Sequence, residues 1–258
     1  MPREANEAVP GKAVLDHVAI AALELSDGWD LFGGILGGSW VYGGNSPGFW
    51  WGQLGFTAGP KIELLTPTGG ADAAFLERFL ATRGAGPHHL NFMVPDINDT
   101  LARVRAVGIE PVQVSLASPT WKEAFLHPKD VDGIVIQVAE QSGTPSRPAA
   151  PAELPRPGPP TAFALVEHQV ADLGRALSLY TEALDGRVVS RSDAGRASVA
   201  EVAWGNHARL RLMPSEQGNG AGLGSLTFAR DGAGFDAAER SEAAHLAQRL
   251  AVSVQLGT

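Results

Sequence analysis

The N-terminal half of the sequence contains one polar-within-apolar pattern twice, at matched spacing. His17 lies in LDHVAI and Glu63 follows 46 residues later in KIELL, whereas His89 lies in HHLNFMV and Gln137 follows 48 residues later in VIQVA. Because alternate side chains of a strand share a face, a single polar residue between apolar neighbours can face away from the core. Each pair therefore predicts the first and last strands of a module, with one polar side chain on each.

The residues between each pair predict the same order of elements, strand–helix–strand–strand–strand, in both modules. In the second module the apolar residues Ile97, Leu101, Val104 and Val107 recur at helical spacing. Gly, Asn, Ser and Pro separate the strand-like runs. The predicted elements are a strand at 15–20, a helix at 26–35 and strands near 39–43, 48–56 and 61–66, then a strand at 88–94, a helix at 96–107 and strands near 110–115, 121–126 and 133–139.

A proline-rich segment divides the chain. Residues 141–160 contain seven prolines and few large apolar residues, a composition typical of a semi-rigid spacer. We therefore predict an N-terminal domain at 13–140, a linker at 141–160 and a C-terminal domain at 161–258. The C-terminal domain contains a third module and the start of a fourth, and the chain ends where the last two strands of the fourth module are expected.

Composition excludes several classes of protein. The net charge is −8 and no run of Lys or Arg occurs, so we expect no binding to nucleic acid or to an anionic membrane surface. The chain has no cysteine, which excludes disulfides, thiolate ligands and cysteine nucleophiles. No window approaches the roughly 18 apolar residues of a membrane span, and the N-terminus does not resemble a signal peptide. We expect a cytoplasmic protein.

The duplication predicts a ligand quartet. Two modules related by a pseudo-twofold axis would bring His17, Glu63, His89 and Gln137 together, since each lies at an equivalent place in its module. Imidazole suits borderline metals, and carboxylate and amide oxygens complete a set for one divalent ion with open positions for water or substrate.

Four segments resemble the vicinal-oxygen-chelate (glyoxalase/bleomycin-resistance/dioxygenase) superfamily, most closely its methylmalonyl-CoA epimerase branch. These are LDHVAI, KIELLTP, GAGPHHLNFMVPDI and FLHPKDVDGIVIQVAE, within residues 13–140. The resemblance implies an α+β fold of paired βαβββ modules that form cupped mixed sheets, with a degenerate, truncated pair after the linker. It also implies a divalent ion such as Co, Ni, Mn, Zn or Fe, bound by His17, Glu63, His89 and Gln137.

Two positions depart from the epimerase pattern. The epimerases have Gln at the position of Glu63 and Glu at that of Gln137, so the carboxylate ligand has changed modules. They also carry a catalytic Glu on the third strand of the first module, where this chain has Trp51 or Trp50. We therefore predict that Glu63 acts as both ligand and general base, with Glu140 or a bound water as the next candidate.

The predicted function is a metal-dependent lyase, isomerase or epimerase that stabilises an enolate of a small carbonyl or acyl substrate. One alternative is a small-molecule binding or resistance protein, with or without a metal. A ring-cleaving dioxygenase is a further alternative, because His17, His89 and Glu63 also form a 2-His-1-carboxylate set. The partner is a small-molecule substrate, and the chain is either a monomeric pseudo-dimer or a homodimer.

The sequence also suggests a pocket wall and an empty second copy of the site. Trp50, Trp51 and His88 are candidates for lining a substrate pocket, and packing within the protein is the alternative for the two tryptophans. In the C-terminal domain the ligand positions correspond to Leu165, Arg211 and Ser225, of which Arg211 would repel a cation. We therefore expect no metal in residues 161–258, which would act as a structural partner.

Overall fold

The computed structural model describes residues 11–143, 148–192, 198–215, 221–232 and 234–257. Within these ranges the strands form two mixed sheets, one of eight strands in the order β2-β3-β4-β1-β5-β8-β7-β6 and one of six in the order β10-β11-β12-β9-β13-β14. The strands are β1 (Val14–Ala21), β2 (Ser39–Ser46), β3 (Phe49–Gly55), β4 (Lys61–Pro67), β5 (Gly86–Met93), β6 (Val112–Ser115), β7 (Trp121–Leu126), β8 (Val135–Gln141), β9 (Ala162–Val170), β10 (Arg187–Ser192), β11 (Val199–Ala203), β12 (Arg209–Pro214), β13 (Gly222–Ala229) and β14 (Ser253–Gly257).

The last strand of each N-terminal module runs parallel to the first strand of the same module. Ala19 of β1 is the register partner of Glu63 on β4, and Asn91 of β5 is the partner of Gln137 on β8. Ala19 lies two residues after His17, and Asn91 lies two residues after His89. The predicted ligands of both modules therefore occupy the same register positions. The matched spacing in the sequence therefore reflects a matched register in the sheet.

Among the residues described, five α-helices connect the strands: α1 (Leu25–Gly28), α2 (Ala74–Arg83), α3 (Ile97–Ala106), α4 (Leu173–Ser178) and α5 (Ala237–Arg249). In the first and third modules α1 and α4 continue as π-helical segments, Trp29–Ile35 and Leu179–Ala183. Helix α3 begins after Asp96, whose side chain accepts hydrogen bonds from the backbone of Asn98 and Asp99. The sequence reading missed α2, which follows a short 3₁₀ turn.

The fourth module lacks a different pair of strands from the one that the sequence predicts. Strand β14 follows α5 directly and runs parallel to β13, with Thr227 opposite Gln255. This is the sheet position that β8 takes beside β5, and Gln255 therefore occupies the place of Gln137. In the part of this module that the structure describes, the last strand is present and no middle hairpin is found, which corrects the prediction that the last two strands are missing. The sequence could not show whether β14 is the second or the last strand of its module, because both kinds of strand have the same short apolar pattern.

The described residues divide into two compact units, and each combines one module from either side of the proline-rich segment. The first comprises the described residues within Met1–Asp16, His89–Thr144 and Leu165–Gly224. Its core contains Phe92 packed against Tyr180 and Trp204.

The second unit comprises His17–His88, Pro145–Ala164 and Ser225–Thr258. Its core contains Phe32 and Phe163, both packed against Phe228. The proline-rich segment also packs within this unit, because Gly158 donates its backbone N–H to Gly33 and the Trp40 indole donates to the carbonyl of Pro148. The boundaries of the domains and linker given above stay predictions.

In the described ranges, no helix has the length and apolar composition required to cross a lipid bilayer.

We expect Gly37→Ala to destabilise the second unit. Gly37 has a φ of +68°, and a Cβ at this position would collide with the backbone carbonyl of Pro159. Strained backbone of this kind costs roughly 1–3 kcal/mol in the free energy of unfolding. Chemical denaturation measures the loss, and Gly44→Ala is the matched control because a Cβ at Gly44 meets open space. Equal stability of the two variants would contradict the packing of the proline-rich segment.

Candidate metal centre

His17 and Glu63 lie on adjacent parallel strands, β1 and β4, with their side chains on the same face. Only 3% of His17 and 8% of Glu63 is exposed. The Nε2 atom of His17 lies 3.5 Å from Oε1 of Glu63. The apolar residues on either side, such as Val18 and Leu64, face the opposite side of the sheet and are fully buried, which orients the two polar side chains together.

Gln53 of β3 connects these two residues. Its Nε2 donates to Oε2 of Glu63 at 2.7 Å and lies 3.2 Å from Nδ1 of His17. Gln53 is the register partner of Glu63 in the β3–β4 hairpin. The sequence reading missed Gln53, although the signal used for Glu63 was available: a single polar residue in an apolar strand, WWGQLGF.

His89 completes a group that can hold a metal ion. One ligand atom each from His17, Glu63 and His89 lies within 4.8 Å of the others, and all three residues are buried. Among the residues described, this is the one such group of His, Asp or Glu. The structure thus brings together three of the four predicted ligands.

Gln137, the fourth predicted ligand, lies on β8 beside Asn91 of β5. The Nδ2 of Asn91 donates to Oε1 of Gln137 at 2.8 Å, and Nε2 of Gln137 donates to Oε2 of Glu123 on β7 at 2.7 Å. Asn91 is fully buried and Gln137 is 8% exposed. The sequence reading also missed Asn91 and Glu123, and Glu123 gave no signal because it lies beside Lys122 in WKEAFL, where no single polar residue stands out.

The donor set fits a divalent cation. Two imidazoles, one carboxylate and one amide oxygen are ligands that Fe, Co, Ni, Zn and Mn accept.

The two tryptophans of the predicted pocket wall lie on opposite faces of β3. Trp50 packs against Trp29 and Trp40, with ring centroids 5.4 Å and 6.2 Å away. Trp51 lies on the face of Gln53, where its ring meets Tyr42 edge-on at 5.0 Å. Trp51 therefore shares a face with the candidate centre, whereas Trp50 does not.

His88 lies at the start of β5, next to helix α2. Its ring contacts Phe79 at 4.9 Å and Phe75 at 5.8 Å. Burial lowers the pKa of His88 to about 4, so the ring is neutral near pH 7 and packs as an aromatic group. Its role in a substrate pocket stays a prediction.

Glu140 is engaged elsewhere. Its carboxylate accepts the backbone N–H of Ile97 at 2.9 Å, at the start of α3, and a bond from Lys122 at 2.6 Å. The hydrogen bond from Ile97, followed by the one from Lys122, lowers the pKa of Glu140. A carboxylate held in this way is a weak base.

The six-stranded sheet has an ion-pair cluster at the position of the metal group. Arg211, which takes the place of Glu63, bonds Glu167 at 3.0 Å and Glu201 at 2.7 Å. Glu201 is the register partner of Arg211, as Gln53 is of Glu63. A guanidinium thus occupies the position that corresponds to Glu63, and the absence of a metal in this half stays a prediction.

Comparison with known proteins supports the superfamily resemblance that the sequence predicts. Residues 16–125 match the sequence profile of the Glyoxalase/Bleomycin resistance protein/Dioxygenase superfamily. The predicted resemblance to this superfamily is therefore confirmed. The chain is 29% identical to the mitochondrial methylmalonyl-CoA epimerase of Dictyostelium discoideum over 140 residues, which cover 51% of this chain and 80% of the relative.

Solved structures extend the similarity of fold over most of the chain. A triple mutant of 4-hydroxymandelate synthase from Streptomyces coelicolor superposes with a TM-score of 0.58, 14% identity, and coverage of 92% of this chain and 75% of the synthase. Methylmalonyl-CoA epimerase from Mycobacterium tuberculosis has a TM-score of 0.45 at 26% identity, with coverage of 55% of this chain and 95% of that chain. The predicted α+β class with cupped mixed sheets is confirmed.

We expect His17→Ala and His89→Ala each to abolish tight binding of a divalent ion. Each substitution removes one imidazole from a group with three strong donors, and the remaining ligands cannot satisfy the ion. Isothermal titration with Ni²⁺ or Co²⁺ measures the affinity. His245→Ala, on the exposed face of α5, is the control and should bind as the unsubstituted protein does. Full metal occupancy in both site variants would refute the assignment.

Proposed function

We propose that this protein is a metal-dependent isomerase, epimerase or lyase that removes a proton next to the carbonyl group of a small carbonyl or acyl substrate. The observation that carries the proposal is the buried group His17, Glu63 and His89, with one ligand atom of each within 4.8 Å of the others. Superfamily membership of the same segment and the similarity to a methylmalonyl-CoA epimerase support it.

The chain's own residues would hold the ion and the substrate. When bound, a divalent ion would polarise the substrate's carbonyl oxygen as a Lewis acid. His17, His89, Glu63 and Gln137 would be its protein ligands. Trp51, on the same face as Gln53, offers apolar surface that would exclude water from the reacting carbon.

Glu63 is the candidate general base within the metal group. Gln53 holds Oε2 of Glu63 by a 2.7 Å hydrogen bond, which leaves Oε1 as the oxygen nearer to His17. A proton taken from carbon would pass to this carboxylate, and the electron pair would move onto the substrate carbonyl.

We expect Glu63→Gln to retain a bound metal ion and to lose turnover. An amide oxygen can still serve as a ligand, but an amide cannot accept the proton, so the rate should fall by at least about 10²-fold. Exchange of the α-proton of methylmalonyl-CoA with deuterated solvent, measured by NMR, tests this step. Methylmalonyl-CoA is chosen because the similar Dictyostelium protein is a methylmalonyl-CoA epimerase. Undiminished exchange would transfer the role away from Glu63, and Glu123, which contacts Gln137, would be the next carboxylate to replace.

A second candidate function is an oxygenase with a 2-His-1-carboxylate iron centre. The favouring observation is the composition of the group: two histidines and one carboxylate. Consumption of oxygen by the Fe²⁺-loaded protein would favour this function over proton transfer. A third candidate, a metal-free binding protein, predicts that the protein purified without added ions contains no stoichiometric metal.

We expect about one divalent ion per chain, since the six-stranded sheet has an ion-pair cluster where a second ion would lie. Elemental analysis of the purified protein measures the ratio. Arg211→Ala should leave this ratio unchanged, because Leu165 and Ser225 at the other equivalent positions provide no imidazole. A ratio near two would show that the C-terminal half also holds a metal.

A further inference from the structure

The side chain of Gln137 is held from both ends. Asn91 donates to its Oε1 at 2.8 Å, and its own Nε2 donates to Oε2 of Glu123 at 2.7 Å. The indole Nε1 of Trp121 donates to the same Oε2 at 3.0 Å. The hydrogen bonds therefore run in one direction, from Trp121 and Gln137 into Glu123, and from Asn91 into Gln137.

The orientation of the Gln137 amide decides whether it can bind a cation. The carbonyl oxygen has lone pairs to offer, whereas the NH₂ group is a donor and repels a cation. The two ends of an amide have nearly the same size, so packing alone does not choose between them. A rotation of the Gln137 amide by 180° would exchange the two ends, so that the NH₂ group instead of Oε1 would face the cation.

Asn91 cannot make this choice. It carries both a donor and an acceptor, so a half-turn of its own amide would match either orientation of Gln137. Its Oδ1 is buried and has no hydrogen-bond partner among the described residues, so no contact of that atom locks the Asn91 amide. The direction of the Asn91–Gln137 hydrogen bond must therefore be determined by the residue at the opposite end of the Gln137 amide, Glu123.

Glu123 can make the choice, because a carboxylate only accepts hydrogen bonds. It requires that the NH₂ end of Gln137 face it, which turns Oε1 toward Asn91 and the strand of His89. The indole of Trp121 is a donor only and binds the same oxygen. The Trp121 indole therefore fixes the position of the carboxylate, and it cannot change from donor to acceptor.

We infer that Glu123 is a positioning residue of the metal centre, which orients the amide of Gln137 so that Oε1 is the atom presented to the cation. The inference rests on the proposed metal site and deepens it. The short bond to a carboxylate also polarises the amide and makes Oε1 a stronger oxygen ligand.

Two substitutions separate orientation from charge. In Glu123→Gln the Trp121 indole still fixes an acceptor oxygen beside Gln137, so we expect Ni²⁺ and Co²⁺ affinity to remain within a few-fold of that of the unsubstituted protein. In Glu123→Leu the acceptor is gone, and affinity should fall about 10- to 100-fold, as is typical when a partner of a metal ligand is removed. Isothermal titration with each metal gives the affinities, and the visible absorption of the Co²⁺ form reports the coordination.

Trp121→Phe provides a second route should Glu123→Leu fold poorly. It keeps an aromatic ring but removes the N–H that fixes Glu123, and a several-fold loss of Co²⁺ affinity is expected. Glu110→Leu is the matched control, since Glu110 is an exposed carboxylate that pairs with Arg105. Circular dichroism and thermal unfolding establish that each variant is folded.

The outcomes are distinct. Weak binding by Glu123→Leu with near-normal binding by Glu123→Gln supports the inference. Equal losses in both variants would assign the effect to charge and overturn it, as would unchanged binding in Glu123→Leu and Trp121→Phe. Failure of the unsubstituted protein to bind either metal would instead refute the proposed metal site itself.

Discussion

The burial of two imidazoles and a carboxylate on one face of a sheet is the constraint on which the rest of the site depends. His17, Glu63 and His89 are 3%, 8% and 6% exposed. Polar groups removed from water destabilise the fold unless hydrogen bonds or opposite charges compensate for the lost hydration. Parallel pairing within each module places these groups at matched register, and the neighbouring strands provide the side chains that compensate them.

The compensating side chains have opposite chemistry in the two modules. The carboxylate of Glu63 receives a hydrogen bond from an amide, that of Gln53, whereas the amide of Gln137 donates to a carboxylate, that of Glu123. Each module therefore has one carboxylate and one amide in contact, with the order exchanged. Exchange of this kind keeps the total charge of the four side chains while it changes which module has its carboxylate on the last strand.

The six-stranded sheet repeats the same strand pairing and has an ion-pair cluster at the corresponding position. Its strands β9 and β12 pair in parallel as β1 and β4 do, yet here Arg211 pairs with Glu167 and Glu201. These side chains are partly exposed, where ion pairs contribute only about 0–1 kcal/mol. The cluster is therefore a weak source of stability, and its three side chains neutralise one another's charge only in part. Each compact unit uses one module from this half to complete its core, as Phe92 with Trp204 shows.

The sequence by itself determined the repeated module and the fold class, and it singled out three buried residues that the structure brings together, because strand periodicity and matched spacing are local signals. His17, Glu63 and His89 were each visible as a polar residue within an apolar strand. Asn91 shows the same local pattern and Glu123 does not, but what gives either of them a role is a contact across strands with Gln137, 46 and 14 residues away along the chain. The final strand, β14, was assigned to the wrong place in its module because only hydrogen bonding to β13 shows which strand it replaces. Register and side-chain direction depend on which strands pair. The local pattern permits several pairings, and the free energy of burying each face of the sheet selects one of them in the tertiary structure.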